Sequence, residues 1–224
     1  QKMHYRAVVT NGACAAAISS VATINVDAAS VGGSVSGSNT VCSGTNTSGL
    51  KLSGHTGVIT KWQWSSSSSF NVATDVAETT DSITVSNLTA SLYYRAVVAN
   101  GVCAAANSGS ALITVNAASV AGTISGMSTL CTGTNRDTLT LSGHTGTIQW
   151  QSSADNASFT NISGATNAVY NPVNLIATTY YRAVVTSGVC AADTSASVTE
   201  TVSPATVGGT LSGGQTVCTG TNTS

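Results

Sequence analysis

The chain has 224 residues, with 7 lysines and arginines against 8 aspartates and glutamates and a net charge of −1. Only 7% of positions are charged, so there is no basic face for nucleic acid. Hydrophobic residues, 42% of the total, fall in short alternating runs that never approach the roughly 18 consecutive apolar positions of a membrane helix.

Tyr5-Arg6-Ala7-Val8-Val9 returns as Tyr94-Arg95-Ala96-Val97-Val98 and as Tyr181-Arg182-Ala183-Val184-Val185, each time with a cysteine close behind. The spacings, 89 and 87 positions, are too long for a solenoid repeat and fit a small domain. A second phrase marks joints: Ala29-Ser30-Val31-Gly32-Gly33, Ala118-Ser119-Val120-Ala121-Gly122 and Ala205-Thr206-Val207-Gly208-Gly209. Cutting there predicts the C-terminal part of one repeat (1–28), two complete repeats (29–117 and 118–204) and the N-terminal part of another (205–224). The chain opens inside a strand and closes in a polar turn, so we expect a window from a longer array.

Within the first complete repeat, period-two alternation predicts strands near 35–41, 50–53, 59–65, 72–76, 82–86, 92–99 and 111–116. Valine, threonine, serine and glycine outweigh helix formers throughout, so the expected class is all-β: tandem antiparallel sandwiches of about seven strands, of immunoglobulin or fibronectin III type. The turn Ser53-Gly54-His55-Thr56-Gly57 recurs as Ser142-Gly143-His144-Thr145-Gly146, and Asn100-Gly101 signals a type I′ hairpin. Trp62 and Trp150 stand on the third strand, where such a sandwich keeps its central tryptophan. Leu88 six residues before Tyr94, and Leu175 six before Tyr181, resemble the tyrosine corner at the entry to the sixth strand. Alternation turns Tyr94, Ala96 and Val98 to the core and Arg95 and Val97 outward.

Six cysteines, at 14, 42, 103, 131, 190 and 218, are separated by 28, 61, 28, 59 and 28 positions. Two per repeat without paired Cys-x-x-Cys ligands points to disulfides and an oxidising compartment, and not to zinc. Three pairings compete. Bonds within each repeat would join Cys42 to Cys103 and Cys131 to Cys190, closing loops of about 60 residues worth ~4 kcal/mol each and leaving Cys14 and Cys218 to pair outside the fragment. Because Cys42 and Cys103 fall toward opposite ends of the predicted sandwich, Cys42 with Cys190 is the alternative. The third scheme links the cysteines flanking each joint: Cys14 with Cys42, Cys103 with Cys131, and Cys190 with Cys218.

His55 and His144 read as turn residues rather than metal or glycan ligands, having no second ligand nearby in sequence. Arg6, Arg95 and Arg182 read as outward strand residues laid over apolar surface rather than as a ligand-binding stripe. Asp75, Glu78 and Asp81 lack the spacing of a calcium loop. Trp64, replaced by Ser152 in the next repeat, reads as added core packing rather than a sugar platform. No serine sits in a Gly-x-Ser-x-Gly elbow, and no catalytic activity or cofactor is expected.

Thr-Val-Cys-Ser-Gly-Thr-Asn (40–46), Leu-Lys-Leu-Ser-Gly-His-Thr-Gly (50–57), Lys-Trp-Gln (61–63) and Tyr-Tyr-Arg-Ala-Val-Val (93–98) together resemble the immunoglobulin-like repeats of giant surface proteins of gliding Bacteroidota. That resemblance implies export by the type IX route and a place in cell-surface filaments, adhesion or gliding. Asp81-Ser82-Ile83 and Asp137-Thr138-Leu139 resemble the O-glycan acceptor of those bacteria, making Ser82 and Thr138 candidate acceptors. The Asn-x-Ser/Thr triplets at Asn46, Asn87, Asn156, Asn161 and Asn222 carry little weight in a bacterium. The expected function is thus a structural segment of an extracellular filament or adhesin stalk, advancing very roughly 40 Å per repeat. Its partners would be neighbouring repeats of the same chain, surface polysaccharide or other filament chains. The competing readings are a carbohydrate-binding module and a spacer on an exported enzyme.

Overall fold

The computed structural model describes residues 1–220, and among them there is no helix. The opening segment forms two ribbons: β1 (Lys2–Tyr5) pairs with β4 (Ala22–Asn25), and β2 (Val8–Val9) pairs with β3 (Ala17–Ile18), both antiparallel. Asn222 lies outside the described residues.

The first repeat contributes β5 (Ser34–Ser36), β6 (Asn39–Cys42), β7 (Thr47–Ser53), β8 (Val58–Ser65), β9 (Thr74–Val76), β10 (Ser82–Ser86), β11 (Leu92–Ala99), β12 (Ala106–Asn107) and β13 (Ala111–Asn116). One sheet runs β10-β7-β5 and the other β6-β13-β11-β8-β9, with β12 attached to β11. All pairings are antiparallel except β6 with β13, which is parallel. Strands β5, β7 and β10 facing β8, β11 and β13 give the immunoglobulin-type sandwich.

The single strand expected over 35–41 is two strands in different sheets. Gly37 makes the change: its φ is +105°, and a Cβ there would stand 2.3 Å from the Gly49 carbonyl oxygen, so only glycine lets the chain cross there. Alternation on β7 is strict, with Ser48, Leu50 and Leu52 inward. Trp62 is fully buried among Leu50, Leu52, Tyr94, Ala96 and Ile113, drawn from both sheets. Its indole Nε1 donates to the Thr80 carbonyl at 3.0 Å, so burial leaves no orphan donor. A side chain of this size contributes about 5 kcal/mol at ~25 cal/mol per Å².

Val97, expected outward, is buried alongside Val98. A β-bulge falls between them in the pairing with β8, and Asn107 of β12 stands opposite Val97, which breaks simple alternation. At the following hairpin only Gly101 takes a left-handed φ, at +55°, so the turn is not type I′, which needs two such residues.

The second repeat supplies β14 (Thr123–Ser125), β15 (Thr129–Cys131), β16 (Leu139–Ser142), β17 (Thr147–Ser153), β18 (Thr160–Asn161), β19 (Val169–Tyr170), β20 (Thr179–Thr186), β21 (Asp193–Thr194) and β22 (Val198–Ser203). Its sheets are β14-β16-β19 and β15-β22-β20-β17-β18, with β21 on β20. Trp150, Leu139, Leu141, Tyr181, Ala183 and Val185 form its core, with the Tyr170 ring tilted against Trp150 and Tyr181 at centroid distances of 5.7 and 5.6 Å. The compact units do not follow contiguous sequence: the first holds Gln1–Ser119 together with Thr186–Ala192, and the second begins at Val120.

Candidate functional site at the cysteine joint

Cys42 ends β6 directly opposite Asn116 of β13. The same unit holds the hairpin Thr186–Ala192, whose turn closes by the Cys190 amide donating to the Ser187 carbonyl at 2.9 Å. The Ser187 amide donates to Ser119 Oγ at 2.9 Å, and the Val189 amide to Asn116 Oδ1 at 3.2 Å. Gly188, at φ +53°, has no room for a side chain: a Cβ would lie 2.1 Å from Asn116 Oδ1. The turn is thereby set against the end of β13, and Cys190 is disulfide-bonded to Cys42 with their Cα atoms 5.0 Å apart, across 148 positions of sequence. Cys190 Sγ also lies 3.1 Å from the Ala117 carbonyl oxygen.

The pairing expected first, Cys42 with Cys103 and Cys131 with Cys190, is replaced by Cys42 with Cys190. Leu92 stands level with Ile113, Asn116 lies three residues beyond Ile113, and Ala99 seven residues the other way. Ten strand steps put Cys103 on the order of 30 Å from Cys42, whereas a disulfide needs Cα atoms within about 7 Å. Cys103 instead directs its thiol to the Ala28 carbonyl at 3.3 Å. Cys14, Cys103, Cys131 and Cys218 are free thiols, so the bonds expected across each joint are also not formed.

Beside Cys42, Asn46 clamps the chain. Its Oδ1 accepts from the Leu88 amide at 3.0 Å, and its Nδ2 donates to the Leu88 and Cys42 carbonyls, both at 2.7 Å. Asn135 does the same for Leu175 and Cys131. The loop where Leu88 and Leu175 suggested a tyrosine corner is thus held by an asparagine. Tyr94 and Tyr181 sit buried in the cores, where desolvation pushes the Tyr181 phenol up to about 12. With both amide hydrogens engaged, Asn46 is also no glycan acceptor. The sequence signal for this clamp is the repeated Cys-x-Gly-Thr-Asn phrase at 42–46 and 131–135.

Arg95 lies over the Phe70 ring at 4.2 Å and donates from Nε to Gln63 Oε1 at 2.9 Å; Arg182 repeats this with Phe159 at 4.0 Å and Gln151 at 2.7 Å. Gln63 in turn donates to Asp75, which Lys61 meets at 2.7 Å, and these two partners hold the Asp75 carboxyl below its usual range. Trp64 packs half-buried against the first core. His55 Nε2 stands 3.7 Å from Asp81; Glu78 and Ser82 are exposed, as is Thr138, whose hydroxyl donates to Asn171 Oδ1 at 2.9 Å.

One buried group has no counterpart in the first repeat. Glu200 of β22 is fully buried: its Oε2 accepts a long bond from the Ser128 amide at 3.4 Å, its Oε1 has no partner, and its carboxyl meets that of Asp137. Desolvation first, and the nearby Asp137 charge second, raise it from 4.5 to about 7. Asp137 itself is held low, chiefly by the Ser128 hydroxyl at 2.5 Å.

A family model described as Domain of unknown function (DUF8696) matches residues 31–117 and again 120–204. No curated protein matches the chain. Among solved structures, a chain in the crystal structure of mouse coronavirus receptor-binding domain complexed with its murine receptor is 13% identical, covering 75% of this chain and 99% of that one, with a TM-score of 0.49. Murine CEACAM1b is 12% identical over 76% of this chain and 100% of its own, at 0.46. A marsupial T cell receptor is 15% identical over 75% and 71%, at 0.48.

Proposed function

The chain belongs to the DUF8696 family, with two copies of its domain in tandem, and we propose that these copies are structural repeats of a long extracellular filament or adhesin stalk on a bacterial surface. The disulfide from Cys42 to Cys190 carries this reading. It ties consecutive repeats covalently, and bonds of this kind persist where thiols are kept oxidised, outside the cytosol. The conspicuous repeated polar residues are engaged within the sandwiches. Arg95 and Arg182 stack on phenylalanine, and Asn46 and Asn135 clamp loops. What recurs in every repeat therefore serves folding and joining, as suits a chain whose role is reach. The resemblance to surface repeats of gliding Bacteroidota further supports export by the type IX route and service in adhesion or gliding. Ser82 and Thr138, both exposed, are the proposed O-glycan acceptors.

Immunogold labelling of intact cells with an antibody to the folded repeats tests the proposal. Gold should extend away from the cell, and deleting one repeat from the gene should shorten that reach by very roughly 40 Å. Label that appears only after permeabilisation would overturn it.

A further inference from the structure

The joint is built twice, but only one copy contains a disulfide. At the hairpin after β11, the Cys103 amide donates to the Asn100 carbonyl at 3.0 Å, as Cys190 does to Ser187. The Asn100 amide donates to Ser30 Oγ at 2.9 Å, as Ser187 does to Ser119. Gly101 has φ +55°, and a Cβ on it would meet the Asp27 carboxylate at 1.9 Å, as Gly188 faces Asn116. The Cys103 sulfur lies 3.3 Å from the Ala28 carbonyl, where Cys190 lies 3.1 Å from that of Ala117. Cys103 is therefore set in the geometry of a bonded cysteine.

The surroundings match as well. In the bonded joint, β13 pairs with β11 on one edge and, in parallel, with β6 and its terminal Cys42 on the other. Beside Cys103, the equivalent strand β4 pairs, among the described residues, on the β1 edge alone. The opposite half is present in the second repeat: β15 runs parallel to β22 with Cys131 opposite Ser203, as Cys42 stands opposite Asn116. Cys131 is exposed at that strand end with its thiol free.

We propose that Cys103 and Cys131 are complementary halves of the same covalent joint, each completed by a further repeat. Cys103 takes a cysteine that closes a strand of the Thr-x-Cys-x-Gly-Thr-Asn type, laid in parallel against the free edge of β4. Cys131 takes a cysteine from a Gly-x-Cys-Ala-Ala hairpin, the phrase that surrounds Cys14, Cys103 and Cys190. Each bond forms as two thiols give up two protons and two electrons, which a low-molecular-weight or protein disulfide accepts by exchange as it is cleaved to two thiols. Every repeat then carries one bond to the repeat before it and one to the repeat after. The inference rests on the repeated joint geometry and stands whether or not the array reaches a cell surface.

The test is disulfide mapping of the protein purified from its source, alkylated before any reduction and digested with thermolysin, which cuts at the apolar residues between Cys103 and Cys131. The expected result is that neither cysteine is alkylated. Cys103 should be found cross-linked to a Thr-x-Cys-x-Gly-Thr peptide and Cys131 to a Gly-x-Cys-Ala-Ala peptide. Migration without reductant then separates the sources: an unchanged size places the partner repeats on the same chain, and a ladder of multiples that collapses on reduction places them on a second copy. Alkylation of either thiol, a bond between Cys103 and Cys131, or bonds within repeats from Cys42 to Cys103 or from Cys131 to Cys190 would overturn the proposal. So would loss of the Cys42 to Cys190 cross-link from the same digest, since the template joint would then be wrong.

Discussion

Glu200 occupies in the second repeat the strand position that Ile113 occupies in the first, and both side chains are fully buried. The substitution places a carboxyl in a core built for a branched alkane. Because its folded pKa, about 7, lies above the ordinary 4.5, its contribution to stability is fully present below pH 4.5 and is lost as pH rises through 7. Asp137, held low by Ser128, titrates below this window, and Tyr181 above it. The second repeat should therefore lose on the order of 2 kcal/mol between pH 5 and 8, roughly 10 °C for a domain of this size. Calorimetric scans should show a flat profile for Glu200→Gln, and Glu200→Ile should be both flat and more stable at pH 8.

Asn46→Ala removes three hydrogen bonds around Leu88 and Cys42, each worth about 1 kcal/mol net. A loss of ~2–3 kcal/mol is expected in urea unfolding, with the slope against denaturant unchanged. Asn135→Ala should cost the same in the second repeat, and Asn46→Asp should recover little of the loss, since it keeps the acceptor and loses both donors.

These clamps show what local pattern conveys and what it does not. The strands over 82–86, 92–99 and 111–116 follow from alternation of apolar residues, a property of neighbours in sequence. The break at Gly37 is invisible to alternation, because what forces it is the Gly49 carbonyl, twelve residues away. Asn46 reads as a sequon until folding brings Leu88 to it, 42 positions on. The choice among cysteine pairings depends on which end of a strand each occupies, so it required the register of Cys42 with Asn116. Glu200 belongs to a Thr-Glu-Thr stretch that by composition belongs at a surface.

Arg95→Lys keeps the charge but gives up the planar stack on Phe70 and the Nε bond to Gln63. A loss of about 1 kcal/mol is expected. A double-mutant cycle with Phe70→Leu should return a coupling of roughly 0.5–1 kcal/mol, and Arg182 with Phe159 should give a similar value. Coupling indistinguishable from zero in both cycles would show that the arginines act through their stems alone.

Cys190→Ser opens a loop of 148 positions and should cost about 5 kcal/mol on the chain-entropy scale. Limited proteolysis should find new cleavage in Thr186–Ala192 in this variant and in the reduced wild type, while Cys14→Ser leaves that hairpin uncut.

The bond between Cys42 and Cys190 also decides where tension travels. A pull on the chain outside this pair reaches one of these sulfurs and crosses directly to the other, so the bond carries that load past the intervening backbone. That backbone, spanning 148 positions, would stretch to about 500 Å if released. An array joined in this way gives its full length without paying out slack, and a reducing agent is what would set the slack free.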